Sequence, residues 1–209
     1  MKTEKEIKDF FEKVEAIQNG HFILSSGKRS KIYCQCSKLF EDPRNGEMVC
    51  EELKYRVQEN IDDEIDYVIS PALGGLLVGY ELARSLGSKF IFYERVDNEF
   101  ELRRGFNIKE NSNVLFVEDV ITTGKSTNEC LEKLKPLNVN LLGIAAIVDR
   151  SNHKLFKDHN VISVLKLDIP IYDPNNLPDD LNKIPATKPG SRVISVSYTH
   201  LTLPTILRV

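Results

Sequence analysis

The chain has 209 residues with 41% hydrophobic content, enough to bury one sizeable core with a small appended subdomain. Its 28 Lys and Arg stand against 31 Asp and Glu, a net charge of −3, which excludes a global basic field for nucleic acid and points to small-molecule partners. Four cysteines, at 34, 36, 50 and 130, are too few and too irregular for a disulfide framework, and no apolar run reaches membrane-spanning length, so a reducing cytoplasm with no membrane partner is expected.

Taken in chain order, Thr3 with Glu6 forms a capping box for a helix whose face is Ile7, Phe10, Phe11, Val14 and Ile17. Phe22-Ile23-Leu24 and Lys31-Ile32-Tyr33-Cys34 read as short strands joined across the polar loop 25–30. Cys34 and Cys36 are explained by alternation along a strand, since neither a second cysteine pair nor the histidines at 21, 153, 159 and 200 complete a zinc pattern. Asp42-Pro43 is an N-cap with proline in the first helical position, and apolar residues from Met48 to Val57 mark the helix it opens. Strand and helix then alternate: Tyr67–Ile69, Gly75–Leu86 with Gly87 past its end, Phe90–Phe92, 114–119, 126–135 and Leu141–Val148. That alternation implies right-handed crossovers and a mainly parallel sheet. Residues 173–188 are rich in Pro, Asn and Asp and read as loop with at most a short helix.

The most informative stretch runs from Val114 to Thr127. Four apolar residues without alternation suit a strand covered on both faces, Glu118 and Asp119 then emerge at its carboxyl end, and the small-residue turn Thr122-Thr123-Gly124-Lys125-Ser126 leads into a helix. Acids at that sheet edge can accept hydrogen bonds from vicinal hydroxyls, and a donor-rich turn at a helix start suits a phosphate. Ser126 with Glu129 also fits a plain capping box. A Walker A reading fails, because Asp119 stands where that loop needs its first glycine. Pro71-Ala72-Leu73-Gly74-Gly75 is a second turn between strand and helix, able to bring backbone N–H groups close to an anion. Arg95, Arg103 and Arg104, set among Asp97, Glu99 and Glu101, read on their own as a solvated hairpin. Arg150 follows a strand, where its planar fork suits a carbonyl or carboxylate of a flat ring, or an ion pair with Asp149.

The 114–127 stretch resembles the phosphoribosyl pyrophosphate (PRPP) signature of the type I phosphoribosyltransferases. Gly20-His21-Phe22-Ile23-Leu24-Ser25-Ser26-Gly27 running on to Tyr33, Ser70–Gly75, Arg103-Arg104-Gly105-Phe106 and Val148-Asp149-Arg150 narrow the resemblance to the orotate phosphoribosyltransferase family, over roughly residues 1–194. The resemblance implies an α/β type I phosphoribosyltransferase fold with a mainly parallel central sheet flanked by helices. It further implies a single domain over 1–194, with a small N-terminal hood mainly in 1–40 and a core in about 41–170. It implies catalytic roles for Glu118, Asp119, Arg95 and Arg103. PRPP binding falls to Arg95, Arg103, Arg104, Leu73, Gly74, Glu118, Asp119, Val120, Ile121, Thr122, Thr123, Gly124, Lys125 and Ser126, and orotate binding to Thr122, Arg150, Ser25, Lys28 and Tyr33.

In the family the Tyr93–Asn107 loop is mobile and serves the neighbouring subunit of a homodimer, and Mg2+ arrives with PRPP, held mainly by substrate oxygens. Several members carry lysine where Gly74 stands, and many carry lysine where Ser25 stands. Transfer to a purine base, or a PRPP-binding regulator without turnover, are the rival readings. Both lose ground because Arg103-Arg104 and Arg150 are present and no helix-turn-helix segment is evident. Residues 195–209 resemble adapter-derived read-through and are expected to be a non-native or disordered tail.

Overall fold

In the computed structural model, residues 2–189 are described apart from Ser25 and Asn152; the tail expected over 195–209 lies outside the described residues. The elements are α1 (Glu4–Lys13), β1 (Ile17–Ile23), β2 (Arg29–Cys34), α2 (Pro43–Asn60), β3 (Tyr67–Pro71), α3 (Gly75–Leu86), β4 (Lys89–Val96), β5 (Glu99–Leu102), β6 (Asn113–Ile121), α4 (Lys125–Leu134), β7 (Asn140–Asp149), β8 (Val161–Lys166), β9 (Ile171–Tyr172) and α5 (Asp179–Asn182). A short 3-10 helix, Cys36–Phe40, links β2 to α2.

The expected caps form. Thr3 Oγ1 accepts from the Glu6 amide at 3.3 Å while Glu6 Oε2 accepts from the Thr3 amide at 2.8 Å, and Asp42 Oδ1 accepts from the Arg44 amide at 3.0 Å. Gly87 ends α3 at φ 76, the left-handed conformation that glycine adopts without a Cβ penalty. Two boundaries differ from the sequence expectation. α1 stops at Lys13, and Glu15 at φ 59 turns the chain, so Ile17 is a buried strand residue instead of the last helical one. Most of the expected loop after Tyr93 is a β4–β5 hairpin, turned by Asp97 and Asn98 at φ 47 and 70, the pair of positive angles of a type I′ turn.

The main sheet has the order β5-β4-β3-β6-β7-β8, parallel throughout except for the β4–β5 hairpin. Alternation along each buried strand sends side chains to two cores. Val68, Leu115, Val117, Ala145 and Ile147 meet α1, α2 and α3, while Tyr67, Ile69, Val114, Phe116, Ile144 and Ala146 meet α4. Covering both faces is why these strands read as unbroken apolar runs, and each fully buried Leu, Ile or Phe contributes about 1.5–3 kcal/mol. β8, which the sequence reading missed, closes one edge. Its Ser163 carbonyl accepts from Arg56 Nη1 at 2.7 Å.

A second sheet, β1-β2-β9, stands beside the core. It takes β9 from far down the chain, so the hood is not made of residues 1–40 alone. Thr187 donates its amide to the His21 carbonyl at 2.8 Å, Ile23 donates to the Thr187 carbonyl at 2.8 Å, and His21 Nδ1 is 2.8 Å from the Ile184 carbonyl. The segment expected to be loop thus stitches the hood together, and it contains the short helix α5.

α3 runs unusually close to the sheet. A Cβ on Gly79 would lie 2.5 Å from Phe90 Cε2 and 2.8 Å from Ser70 Oγ. Alanine is the better helix former, yet Gly79→Ala is expected to cost about 1–3 kcal/mol, because overpacking at this contact exceeds the propensity gain of about 1 kcal/mol. Urea unfolding measures it; equal or higher stability would show that α3 has room to spare.

Candidate active site

The site is built where β3 and β6 part. They pair only through Tyr67, Val68 and Ile69 with Val114, Leu115 and Phe116, after which β3 turns off at Pro71 and β6 continues beside β7 as far as Ile121 opposite Asp149. From β3 the chain crosses over α3 to β4 on one side, and from β6 it crosses over α4 to β7 on the other. This reversal opens a crevice at the carboxyl ends of the strands, the usual ligand position in open α/β sheets. Turns 71–75 and 121–125 form its two lips.

Glu118 and Asp119 lie near the carboxyl end of β6 as expected, and the strand runs two residues further, to Ile121, because pairing with β7 continues past them. Glu118 is buried, and burial first, then the charge of Asp119, raise its pKa to about 8, with the Thr127 hydroxyl pulling the other way. Asp119 is partly buried. Burial raises its pKa too, opposed by the Val120 amide, which donates to Oδ1 at 2.8 Å. Thr127 closes the 114–127 stretch but was given no site role from sequence. It sits with Cys130 and Leu134 on the buried face of α4, and a hydroxyl on that apolar stripe is the signal that marks it.

The 121–125 turn is set by Gly124, the N-cap of α4, at φ 68. Thr122, Thr123 and Lys125 are exposed and Ser126 is half-buried in the first helical turn, so these side chains and the first amides of α4 are open to a ligand. Val120 is partly buried, and the side chain of Ile121 is in the core, leaving only its backbone to face outward. The alternative of a Ser126–Glu129 capping box is not realised: α4 has no side-chain cap, and Glu129 instead pairs with Arg95 at 2.7 Å and Lys125 at 3.9 Å. In the other lip Leu73 and Gly74 are exposed, the Ala72–Leu73 peptide is cis, and the Ala72 amide donates to the Tyr93 carbonyl at 2.7 Å.

The three arginines are not alike. Arg95 belongs to strand β4, with its guanidinium 4.0 Å from the Phe100 ring centroid and bonded to Glu129, so it is docked on α4 instead of lying in a loop. Arg104, at φ 59, donates twice to Glu94 Oε1, at 2.9 and 2.6 Å. Arg103 is exposed and makes no ion pair within 4 Å among the described residues.

On the hood side, the Cys36 thiol reaches the Asp119 carbonyl at 3.7 Å. The Tyr33 hydroxyl donates to Gln35 Oε1 at 2.8 Å, and burial, with Cys34 and Asp119 nearby, holds its pKa above the usual tyrosine range. Arg150 comes from the end of β7, where its amide donates to the Ile121 carbonyl at 2.8 Å. The ion pair with Asp149 considered from sequence is absent: Asp149 accepts from the Ser151 amide at 2.8 Å and stands 3.8 Å from Lys166. Arg150 Nε is buried with no hydrogen-bond partner among the described residues, an orphan donor of the kind a bound acceptor satisfies. Lys28 is exposed in the β1–β2 turn and Ser25 lies outside the described residues. A cavity of about 400 Å³ lined by Asp149, His153, Lys154, Phe156, His159 and Lys166 lies behind the site, and none of the signature residues 118–126 lines it.

Comparison with known proteins agrees with this arrangement. The phosphoribosyl transferase domain model matches residues 38–178. The chain is 44% identical over 186 residues to the orotate phosphoribosyltransferase of Thermotoga maritima, covering 89% of this chain and 98% of that one. It is 43% identical to the enzyme of the same name from a Thermoanaerobacter species, covering 90% and 97%. Among solved structures, the orotate phosphoribosyltransferase of Aeropyrum pernix superposes with a TM-score of 0.67 at 24% identity, over 77% of this chain and 93% of that one, a likeness of fold. The signature strand, the two lips of the crevice and these full-length matches together place the chain in the orotate phosphoribosyltransferase family, as a type I phosphoribosyltransferase.

Proposed function

We propose that this protein transfers the 5-phosphoribosyl group from PRPP to orotate, giving orotidine 5′-monophosphate and diphosphate, as a step of pyrimidine synthesis in the cytoplasm. The observation that carries the reading is the pair of acids, Glu118 buried and Asp119 partly so, at the parting of β3 and β6, flanked by two donor-rich turns and with the orphan Arg150 Nε belonging to the same sheet edge. In the reaction the bond from the anomeric carbon to the diphosphate oxygen breaks, the electron pair leaves with the diphosphate, and a bond to the orotate ring nitrogen forms as that nitrogen gives up its proton to the departing diphosphate. Positive charge develops on the ribose and negative charge on the leaving group, so catalysis is positioning and electrostatics.

Asp119 accepts from ribose hydroxyls and offsets the sugar's charge. Glu118, mostly protonated at pH 7 before substrate binds, donates a hydrogen bond at the same place. The 121–125 turn holds the 5-phosphate, the 71–75 turn faces the diphosphate, and Arg150 with Tyr33 and Thr122 addresses the flat base. Among the described residues no three His, Cys, Asp or Glu side chains are grouped to hold a metal unaided. Glu118 and Asp119 are the oxygen donors that would be available to a magnesium ion held mainly by substrate oxygens. When bound, the ion would neutralise diphosphate charge.

A homodimer accounts for two further features. Leu73, Leu77 and Tyr80 are 84%, 50% and 61% exposed. Beside them Tyr80, Phe90, Phe92 and Phe106 touch in sequence, with ring centroids 5.3–6.2 Å apart. An apolar surface of this kind, next to the diphosphate turn, suits burial by a second copy. Arg103, exposed and outside any ion pair among the described residues, is the cation best placed to serve the neighbour.

Three measurements test this. Orotate should be consumed with PRPP and magnesium, while adenine, hypoxanthine and uracil are not; preference for a purine would replace the reading. Because Glu118 titrates near 8 when folded but near its ordinary 4.5 when unfolded, the folded chain holds an extra proton between those values. Stability is therefore greatest below about pH 4.5 on this account and declines as pH rises toward 8. Glu118→Gln should remove on the order of 10 °C of the melting-temperature loss across that window in substrate-free protein; an unchanged slope would mean Glu118 is already ionised. Finally, Arg103→Ala and Asp119→Asn should each be nearly inactive alone, yet recover about a quarter of wild-type rate when mixed under subunit exchange, since about half the dimers carry one intact site. No recovery despite verified exchange would place the loop in its own chain's site.

A further inference from the structure

The 71–75 lip meets β6 at Asp119, and the contact requires a bare Cα. A Cβ built on Gly74 would stand 2.8 Å from Asp119 Oδ1 and 3.0 Å from both Cγ and Oδ2, so the whole carboxylate lies against this glycine. Gly74 does not need glycine's conformational freedom: its φ of −55 and ψ of −46 are ordinary right-handed helical values. What the position needs is absence of volume.

From this we infer that Gly74 is a positioning residue for Asp119. Its missing side chain is the slot in which the carboxylate rests. Oδ1 is fixed from the other side by the Val120 amide at 2.8 Å, and the main chain of Asp119 is held by the Cys36 thiol on its carbonyl. Among the described residues Oδ2 accepts no hydrogen bond, so it is the oxygen left for a ligand hydroxyl. A first methylene here would push the carboxylate off the Val120 amide and displace the ribose acceptor. Aspartate at 119 and glycine at 74 therefore form one unit, in which the diphosphate turn sets the place of the ribose acid.

The inference rests on the PRPP reading of this crevice. Its test is calorimetry of PRPP with magnesium on the wild type, Gly74→Ala, Asp119→Ala and the double variant, with circular dichroism confirming the fold. Gly74→Ala should weaken PRPP binding about tenfold in the wild-type background and less than about twofold in the Asp119→Ala background. Equal losses in both backgrounds, or none, would overturn it, since Gly74 would then act through its own turn or not at all. Gly74→Lys should bind no tighter than Gly74→Ala; tighter binding would equally overturn it. Independently of affinity, the Val120 amide resonance should shift in substrate-free Gly74→Ala as its bond to Oδ1 is lost, and an unmoved resonance would refute the displacement. A wild-type protein that binds PRPP but ignores orotate would defeat the proposed reaction and leave this contact standing, whereas one that does not bind PRPP would defeat both.

Discussion

Three residue pairs between β3 and β6 are the constraint on which the rest depends. If the two strands stayed paired to their ends, the 71–75 turn would close over β6, and Glu118 and Asp119 would be lost in sheet. Their early parting leaves β6 paired on one side only, held by β7, while the other side looks into the crevice. The crossovers on either flank then deliver one turn each to the same edge. The chemistry is thus a product of topology, because a reversal of winding direction is what leaves a groove that neither helix layer fills.

The electrostatic cost of this arrangement falls on the acids. No cation pairs with either carboxylate among the described residues, and both are held above their usual pKa range by burial. The arginines that could have neutralised them are held elsewhere, Arg95 on Glu129 and Arg104 on Glu94. Such a site is destabilising by itself and gains by receiving a ligand that pairs with the acids, the pattern in which folded stability is given up for binding.

Much of this was legible in the sequence, for physical reasons that can be named. Caps are local, so Thr3, Glu6, Asp42, Pro43 and Gly87 announced their helix ends. Strands covered on both faces read as apolar runs, so β3, β6 and β7 stood out, and with them the edge that carries the acids. Elements whose pairing is decided by distant partners did not show. β8 lies at an edge after a polar loop, and β9 has only two residues. The β4–β5 hairpin carries so many charges that its pattern reads as surface, although Phe100 in its middle is buried. At the site, residue types were legible but orientations were not. That Arg95 faces α4, that Arg150 avoids Asp149, and that Gly74 is empty for the sake of a side chain 45 positions away are facts of packing, which composition and spacing do not encode.

The return of the chain to the hood has a consequence for the order in which the molecule is made. β1 and β2 emerge from the ribosome early, but their sheet is completed by Ile171, Tyr172, Ile184 and Thr187, which emerge late. Residues 41–166 contain the whole parallel sheet, so that sheet can assemble while the hood still lacks its third strand and the His21 contact. With synthesis running at about 5–20 residues per second, the hood hairpin spends on the order of ten seconds without those partners. The hood side of the crevice is therefore the last part of the enzyme to be finished, and a nascent chain can close the 71–75 and 121–125 turns before it closes its hood.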